Sequence, residues 1–147
     1  MFTHLLVPTD GSQLSEATVR RAVSFAKECG AKITFFYASP IYPDFRFGGG
    51  GRFLPLTPEK FEALNQQETE RILNASIRFC EDGGVECDAI NVHSDDPATA
   101  IIEAAKECNA DLVFMASHGR RGLKGILMGS ETNKVLTHAK IPVLVYR

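Results

Sequence analysis

The stretch from Met115 to Leu136, MASHGRRGLKGILMGSETNKVL, places four glycines in the eleven positions from Gly119 to Gly129. An apolar run, DLVFMA, leads into it, and its last residues have helical spacing. Glycine loses more conformational freedom on folding than any other residue, so a cluster of this kind points to positive φ angles or to the close approach of another group. Two readings fit: a tight strand-to-helix connection, or a cradle for phosphate. For the second, bare backbone N–H groups and the positive end of the following helix dipole would draw an anion to the same place.

Outward from this stretch, two kinds of segment alternate. LVFMA (Leu112 to Ala116) is one of five short segments rich in β-branched or aromatic residues and bounded by turn formers. The others are FTHLLVP (Phe2 to Pro8), KITFFYA (Lys32 to Ala38), VECDAINV (Val85 to Val92) and PVLVYR (Pro142 to Arg147). Between them lie four helical patterns. SEATVRRAVSFAKECG sets Val19, Ala22, Val23 and Ala26 at i, i+3, i+4 and i+7, with Gly30 as the C-terminal cap. From Pro58 to about Glu81, an apolar face is expected from Phe61, Leu64, Ile72, Leu73, Ala75 and Phe79. DDPATAIIEAAKECNA begins with Asp96 as N-cap and Pro97 at the first helical position, and is expected to bury Ile101, Ile102 and Ala105. GSETNKVLTHAK offers Ser130 near an N-terminus and Val135, Leu136 and Ala139 as a packed face.

Strand and helix in unbroken alternation predict an α/β fold, a single doubly wound parallel sheet with helices on both faces. Runs such as ITFFYA and LVFMA suit strands buried on both sides. No Pro/Gly/Ser linker divides the chain, so residues 1–147 are expected to form one domain. The irregular stretch from Ser39 to Pro58 is expected to be a mobile surface loop, a lid or a partner surface; nothing in the sequence explains its four consecutive glycines, Gly48 to Gly51.

Composition narrows the function. With 147 residues, 44% hydrophobic and 23% charged, the chain has ordinary globular values. A formal net charge of −2 lacks the basic excess of a nucleic-acid binder. The local basic group Arg120, Arg121 and Lys124 suits a small anion or is a solvated face. No segment reaches the about 20 apolar residues of a membrane span, and no secretory signal opens the chain, so a cytoplasmic protein without membrane contact is expected. Cys29, Cys80, Cys87 and Cys108 show no C-x-x-C spacing and read as buried or half-buried thiols.

In an open parallel sheet, ligands bind at the carboxyl ends of the strands where the winding reverses. With the first strand central and the fourth beside it, PTDGS (Pro8 to Ser12) and ASHGRRG (Ala116 to Gly122) both open into that crevice. Asp10 there accepts hydrogen bonds from a ribose or an adenine amine, or else caps the first helix or braces its loop. His118 has no partner for a triad and reads as a loop residue bonded locally or touching ribose. Asp95 and Asp96 read as a helix cap. There is no G-x4-GK-[ST] and no G-x-G-x-x-G after the first strand, and PTDGS supplies one acid where a receiver domain needs a cluster.

SHG-x9-GS, from Ser117 to Ser130, followed by ETNKVLTHAKIPVLVYR, together with HLLVPTDGSQLSEATVRRAVSFA near the start, resembles the universal stress protein family, close to its ATP-binding branch. The resemblance covers essentially the whole chain. It implies strand order 3-2-1-4-5 and a homodimer formed partly through the last strand. The family's motif G-x2-G-x9-G-[ST] is matched at Gly119, Gly129 and Ser130, with Ala116 in place of the first glycine. By the same resemblance, Asp10 with Pro8 and Thr9 would flank the adenosine of ATP, and the backbone at Ala38 would face the adenine. Met115 to Gly119, including His118, would line ribose and phosphates. Gly129, Ser130, Glu131 and Thr132 would hold the β and γ phosphates with Mg or Mn, the ion carried by the phosphates and not by protein ligands. Glu131 stands where an apolar residue is common, its charge turned to solvent or against phosphate.

The expected function is an ATP-binding homodimeric stress sensor or switch, because binding groups are plentiful and a positioned base is missing. A slow ATPase or autophosphorylating protein using Ser130 or Thr132, and a stress-induced dimer that binds no nucleotide, are the alternatives.

Overall fold

The computed structural model describes residues 1–43, 56–120, 122 and 128–147. Most of the loop expected from Ser39 to Pro58, including Gly48 to Gly51, lies outside these residues, as do Arg121 and Lys124.

Five parallel strands form one sheet: β1 (His4–Pro8), β2 (Lys32–Ser39), β3 (Cys87–His93), β4 (Leu112–Ala116) and β5 (Val143–Tyr146). Their order is β3-β2-β1-β4-β5, as the resemblance implies. The helices are α1 (Gln13–Cys29), α2 (Pro58–Gly83), α3 (Pro97–Glu107) and α4 (Ser130–His138). Local signals set the ends of these elements. Ser12 accepts from the Ser15 amide at 3.2 Å at the start of α1, and Gly30, at φ 68°, closes it. Asp96 caps α3 ahead of Pro97. Ser12, not Asp10, is the cap of the first helix; Asp10 instead accepts from the Ser12 amide at 2.9 Å.

Side chains alternate across the sheet, so neighbouring strand residues enter different cores. Leu5, Val7, Ile33, Phe35, Leu112 and Phe114 pack with Val19, Ala22 and Ala26 of α1 and Ile72 and Leu73 of α2. Leu6, Phe36, Val113 and Met115 face the other way, against Ala98, Ile101, Ala104 and Ala105 of α3 and Val135 of α4. Helices therefore cover both faces, two on each.

Four apolar positions depart from expectation. Leu136 is 43% exposed and Leu64 is 52% exposed, so neither belongs to the packed face of its helix. Ala75 is exposed and Ile102 only half-buried. In α2 the buried positions include Asn65, Ser76 and Cys80, small or hydrogen-bonded side chains that periodicity in apolar residues does not register. Asn65 is satisfied by donating to the Pro40 carbonyl at 2.7 Å.

Candidate functional site

β1 is the point of reversal. The chain leaves it for β2 and β3 on one side and returns to β4 and β5 on the other, so the loops following β1 and β4 emerge side by side. Between them opens a crevice of about 180 Å³. Pro8, Thr9, Asp10, Ala38, Met115, Ala116, His118, Gly119, Glu131 and Thr132 line it, each of them singled out from the sequence. Gly129 and Ser130 are not in the lining; they begin α4 immediately before Glu131. Ser15, Phe36, Tyr37, Pro97 and Ile101 line it as well and were not foreseen. Phe36 shares a strand face with Ala38, which the two-residue period shows in principle; Pro97 and Ile101 enter only because α3 packs over that face.

The floor is hydrogen-bonded from below. Ser15, 2% exposed, lies 2.6 Å from the Thr9 hydroxyl and accepts from the Asp10 amide at 3.0 Å. The Thr9 amide donates to the Phe36 carbonyl at 2.8 Å and continues the β1–β2 ladder into the loop. Asp10 holds both rims: Oδ1 accepts from the Ser12 amide and Oδ2 from the Arg120 amide, each at 2.9 Å. A carboxylate offers about four acceptor positions, so these two bonds leave capacity for a ligand. Asp10 therefore braces its loop without losing the ability to accept more.

Gly119 is required by this contact, because a β-carbon there would collide with Asp10 Oδ2. At Gly129 a β-carbon would stand 3.1 Å from His118 Cα and 3.2 Å from the Ser117 carbonyl oxygen, which itself accepts from the Gly129 amide at 2.7 Å. The close approach that the glycine cluster suggested is thus, at these two positions, an approach of protein to protein. Ala116 ends β4 opposite Tyr146, and among the described residues the only non-glycine with positive φ is Asn109, so the alanine sits without backbone strain.

Other polar groups are already engaged. The Thr132 hydroxyl donates to the Ala116 carbonyl at 3.0 Å. His118 Nδ1 lies 3.2 Å from the Ser117 hydroxyl. Glu131 does not point simply to solvent: Oε2 accepts from the Ala98 amide in the first turn of α3 at 3.0 Å, and Oε1 pairs with Lys134 at 3.1 Å. Arg120 turns its guanidinium to Glu68 on α2 at 2.7 Å, and Arg71 holds the same carboxylate at 2.8 Å. These two arginines, Arg71 first, bring the Glu68 carboxyl down to about 2. Arg120 is therefore tied to α2 and is not turned toward the crevice as a free cation. Tyr37 also packs in the core beneath α1 and α2, and burial pushes its phenol above its ordinary value.

The universal stress protein family model matches residues 1–147. This chain belongs to the universal stress protein family. Among its curated family relatives, YxiE of Bacillus subtilis is 30% identical over 153 residues, covering 100% of each chain. A universal stress protein structure from Burkholderia pseudomallei shares the fold with TM-score 0.77 at 23% identity, covering 99% of this chain and 96% of that one. Another, from Archaeoglobus fulgidus and in complex with dAMP, has TM-score 0.67 at 18% identity, covering 100% and 98%.

Cys29, Cys80, Cys87 and Cys108 are free thiols, and burial pushes the Cys80 thiol up to about 12. No helix among the described residues is long and apolar enough to cross a membrane.

Proposed function

We propose that this protein is an adenine-nucleotide-binding switch of the stress response, a single-domain homodimer acting in the cytoplasm, and not a fast enzyme. The observation that carries the reading is the crevice between the β1 and β4 loops, where an apolar floor and a braced carboxylate on Asp10 converge. Family structures of the same fold that are complexes with dAMP, cAMP and AMP support an adenine nucleotide as the ligand. In this reading the adenine lies against the Ala38 backbone, the adenosine runs beside Pro8, Thr9 and Asp10, and the phosphates run along Met115 to Gly119 toward Gly129, Ser130, Glu131 and Thr132. No side chain caps the start of α4, which suits it to receive phosphate oxygens.

The family resemblance supports ATP with Mg or Mn as the nucleotide. Among the described residues no three His, Cys, Asp or Glu side chains are grouped to hold a metal, so the ion would ride on the phosphates. When bound, it neutralises phosphate charge. This chain's own residues position and exclude: Asp10 orients the sugar end, and Gly119 and Gly129 keep the rim narrow. The second reading, slow hydrolysis or autophosphorylation, draws on Ser130, which is exposed at the first position of α4, whereas the Thr132 hydroxyl is committed to Ala116. No positioned base accompanies Ser130 among the described side-chain hydrogen bonds, and this favours binding over catalysis.

For the dimer, β5 is the sheet edge, and Val143, Leu144, Val145 and Tyr146 are each half-buried, an apolar edge of the type that pairs with a second copy. Calorimetric titration of nucleotide-free protein with Mg-ATP, ADP, AMP and GTP tests the ligand. Micromolar binding of adenine nucleotides with GTP excluded is expected. Absence of binding at millimolar concentration overturns the reading and leaves a dimer that acts through its surface alone.

A further inference from the structure

The described lining of the crevice contains two carboxylates, Asp10 and Glu131, and no lysine or arginine. The cations described nearby, Arg120 and Lys134, are both paired with carboxylates. Arg120 is held by Glu68, and Lys134 lies 3.1 Å from the carboxylate of Glu131, with 54% of its side chain exposed. Glu131 is fixed where it stands. Its two oxygens are engaged by different partners, the Ala98 amide and Lys134, so its carboxylate is held on the crevice wall between the first turns of α3 and α4.

This placement removes one anion site as well as adding a charge. Helix N-termini attract anions through their free amides. At α3 those amides are already answered by the chain: Ala98 donates to Glu131 and Thr99 to Asp96. Pro97 has no N–H to offer. A phosphate chain entering the crevice therefore finds the α3 terminus occupied and a carboxylate one residue beyond Ser130.

We infer that Glu131 is a specificity-determining residue that limits the phosphate charge the crevice accepts, so that adenosine and AMP are favoured over metal-free ATP and a triphosphate enters only with its charge neutralised by a divalent cation. The inference rests on the nucleotide reading above and deepens it. Its basis is Coulombic: repulsion from a fixed carboxylate scales with ligand charge, and the Glu131 side chain, 38% exposed, is only partly screened by solvent. A monophosphate carries about two negative charges near neutral pH, and every added phosphate increases the total.

The test is calorimetric titration of the wild type and Glu131→Gln with adenosine, AMP, Mg-ATP and ATP in excess chelator. Glutamine keeps an oxygen for the Ala98 amide, so α3 remains capped while the charge is lost, and thermal unfolding of both proteins checks this. The wild type is expected to bind AMP at least about tenfold tighter than metal-free ATP, about 1.4 kcal/mol. In Glu131→Gln that ratio is expected to shrink about tenfold, and the enhancement of ATP binding by Mg to shrink with it. Equal AMP-to-ATP ratios in the two proteins overturn the inference, as does a wild type that binds metal-free ATP as tightly as AMP. If adenosine and AMP both fail to bind the wild type, the nucleotide reading itself falls, and the charge limit with it.

Discussion

The amide of Arg120 donates to Asp10 Oδ2 at 2.9 Å, a contact between residues 110 apart in the chain. It joins the loop after β1 to the loop after β4 directly across the mouth of the crevice. The same carboxylate organises its own loop through the Ser12 amide, so one side chain sets the spacing of both rims.

Replacing that carboxylate separates its two duties. Hydrogen bonds to a charged group are worth about 1.5–3 kcal/mol when lost. Asp10→Ala is expected to lower stability by about that amount and to weaken nucleotide binding, whereas Asp10→Asn retains one acceptor and is milder in both. Denaturant unfolding and titration of each variant measure the two effects; unchanged affinity in Asp10→Ala would remove Asp10 from the binding site.

Gly119→Ala reaches the same contact from the other side. Its β-carbon would meet Asp10 Oδ2, so the rim must widen. Loss of nucleotide affinity by about tenfold or more, about 1.4 kcal/mol, is expected with little change in circular dichroism. An alanine variant with native affinity would mean that the two loops do not need their present spacing.

At Gly129 the β-carbon of a valine would press on backbone atoms of His118 and Ser117 at 3.1 and 3.2 Å. The start of α4 must shift, and Gly129→Val is expected to abolish nucleotide binding while the two hydrophobic cores persist. Titration alongside thermal unfolding checks this. Intact ATP affinity would show that the first turn of α4 does not hold phosphate.

His4 predicts a pH dependence of stability. The residue is 6% exposed, its Nε2 lies 2.7 Å from the Thr34 hydroxyl, and burial lowers its pKa below 6.5. Because the folded value lies below the unfolded one, the unfolded state binds the proton more readily, and stability is lost as pH falls through 6.5 toward the folded value. The slope in that window is expected to reach at most about 1.4 kcal/mol per pH unit and to flatten in His4→Gln. Parallel slopes in wild type and variant would assign the dependence to other groups.

On the sheet edge, Val145→Lys is expected to convert the proposed dimer to monomer in sedimentation velocity, since a charged side chain on an edge strand opposes pairing. Val143→Lys carries the same prediction but also disturbs the core over α4, against which Val143 packs. A dimer that survives both would place the contact elsewhere.

The elements were legible because their signals are local. A proline after a capping aspartate starts α3, a left-handed glycine ends α1, and alternate apolar residues feed two cores from one strand. Such patterns involve neighbours a few positions apart, and they carried the α/β class and both crevice loops, whereas the strand order and lining residues such as Ala38, Met115 and Thr132 came from the family resemblance. Tertiary placement decided what depends on distant pairs. That Glu131 answers the Ala98 amide, that Arg120 reaches Glu68, and that Ser15 supports the crevice floor follow from how α2, α3 and the loops pack around β1. Leu136 and Leu64 make the same point from the apolar side: helical periodicity puts them near the buried face, but in the assembled layers they are 43% and 52% exposed. A side chain's partner across 33 or 52 residues is set by the geometry of the assembled layers, and no local pattern encodes it.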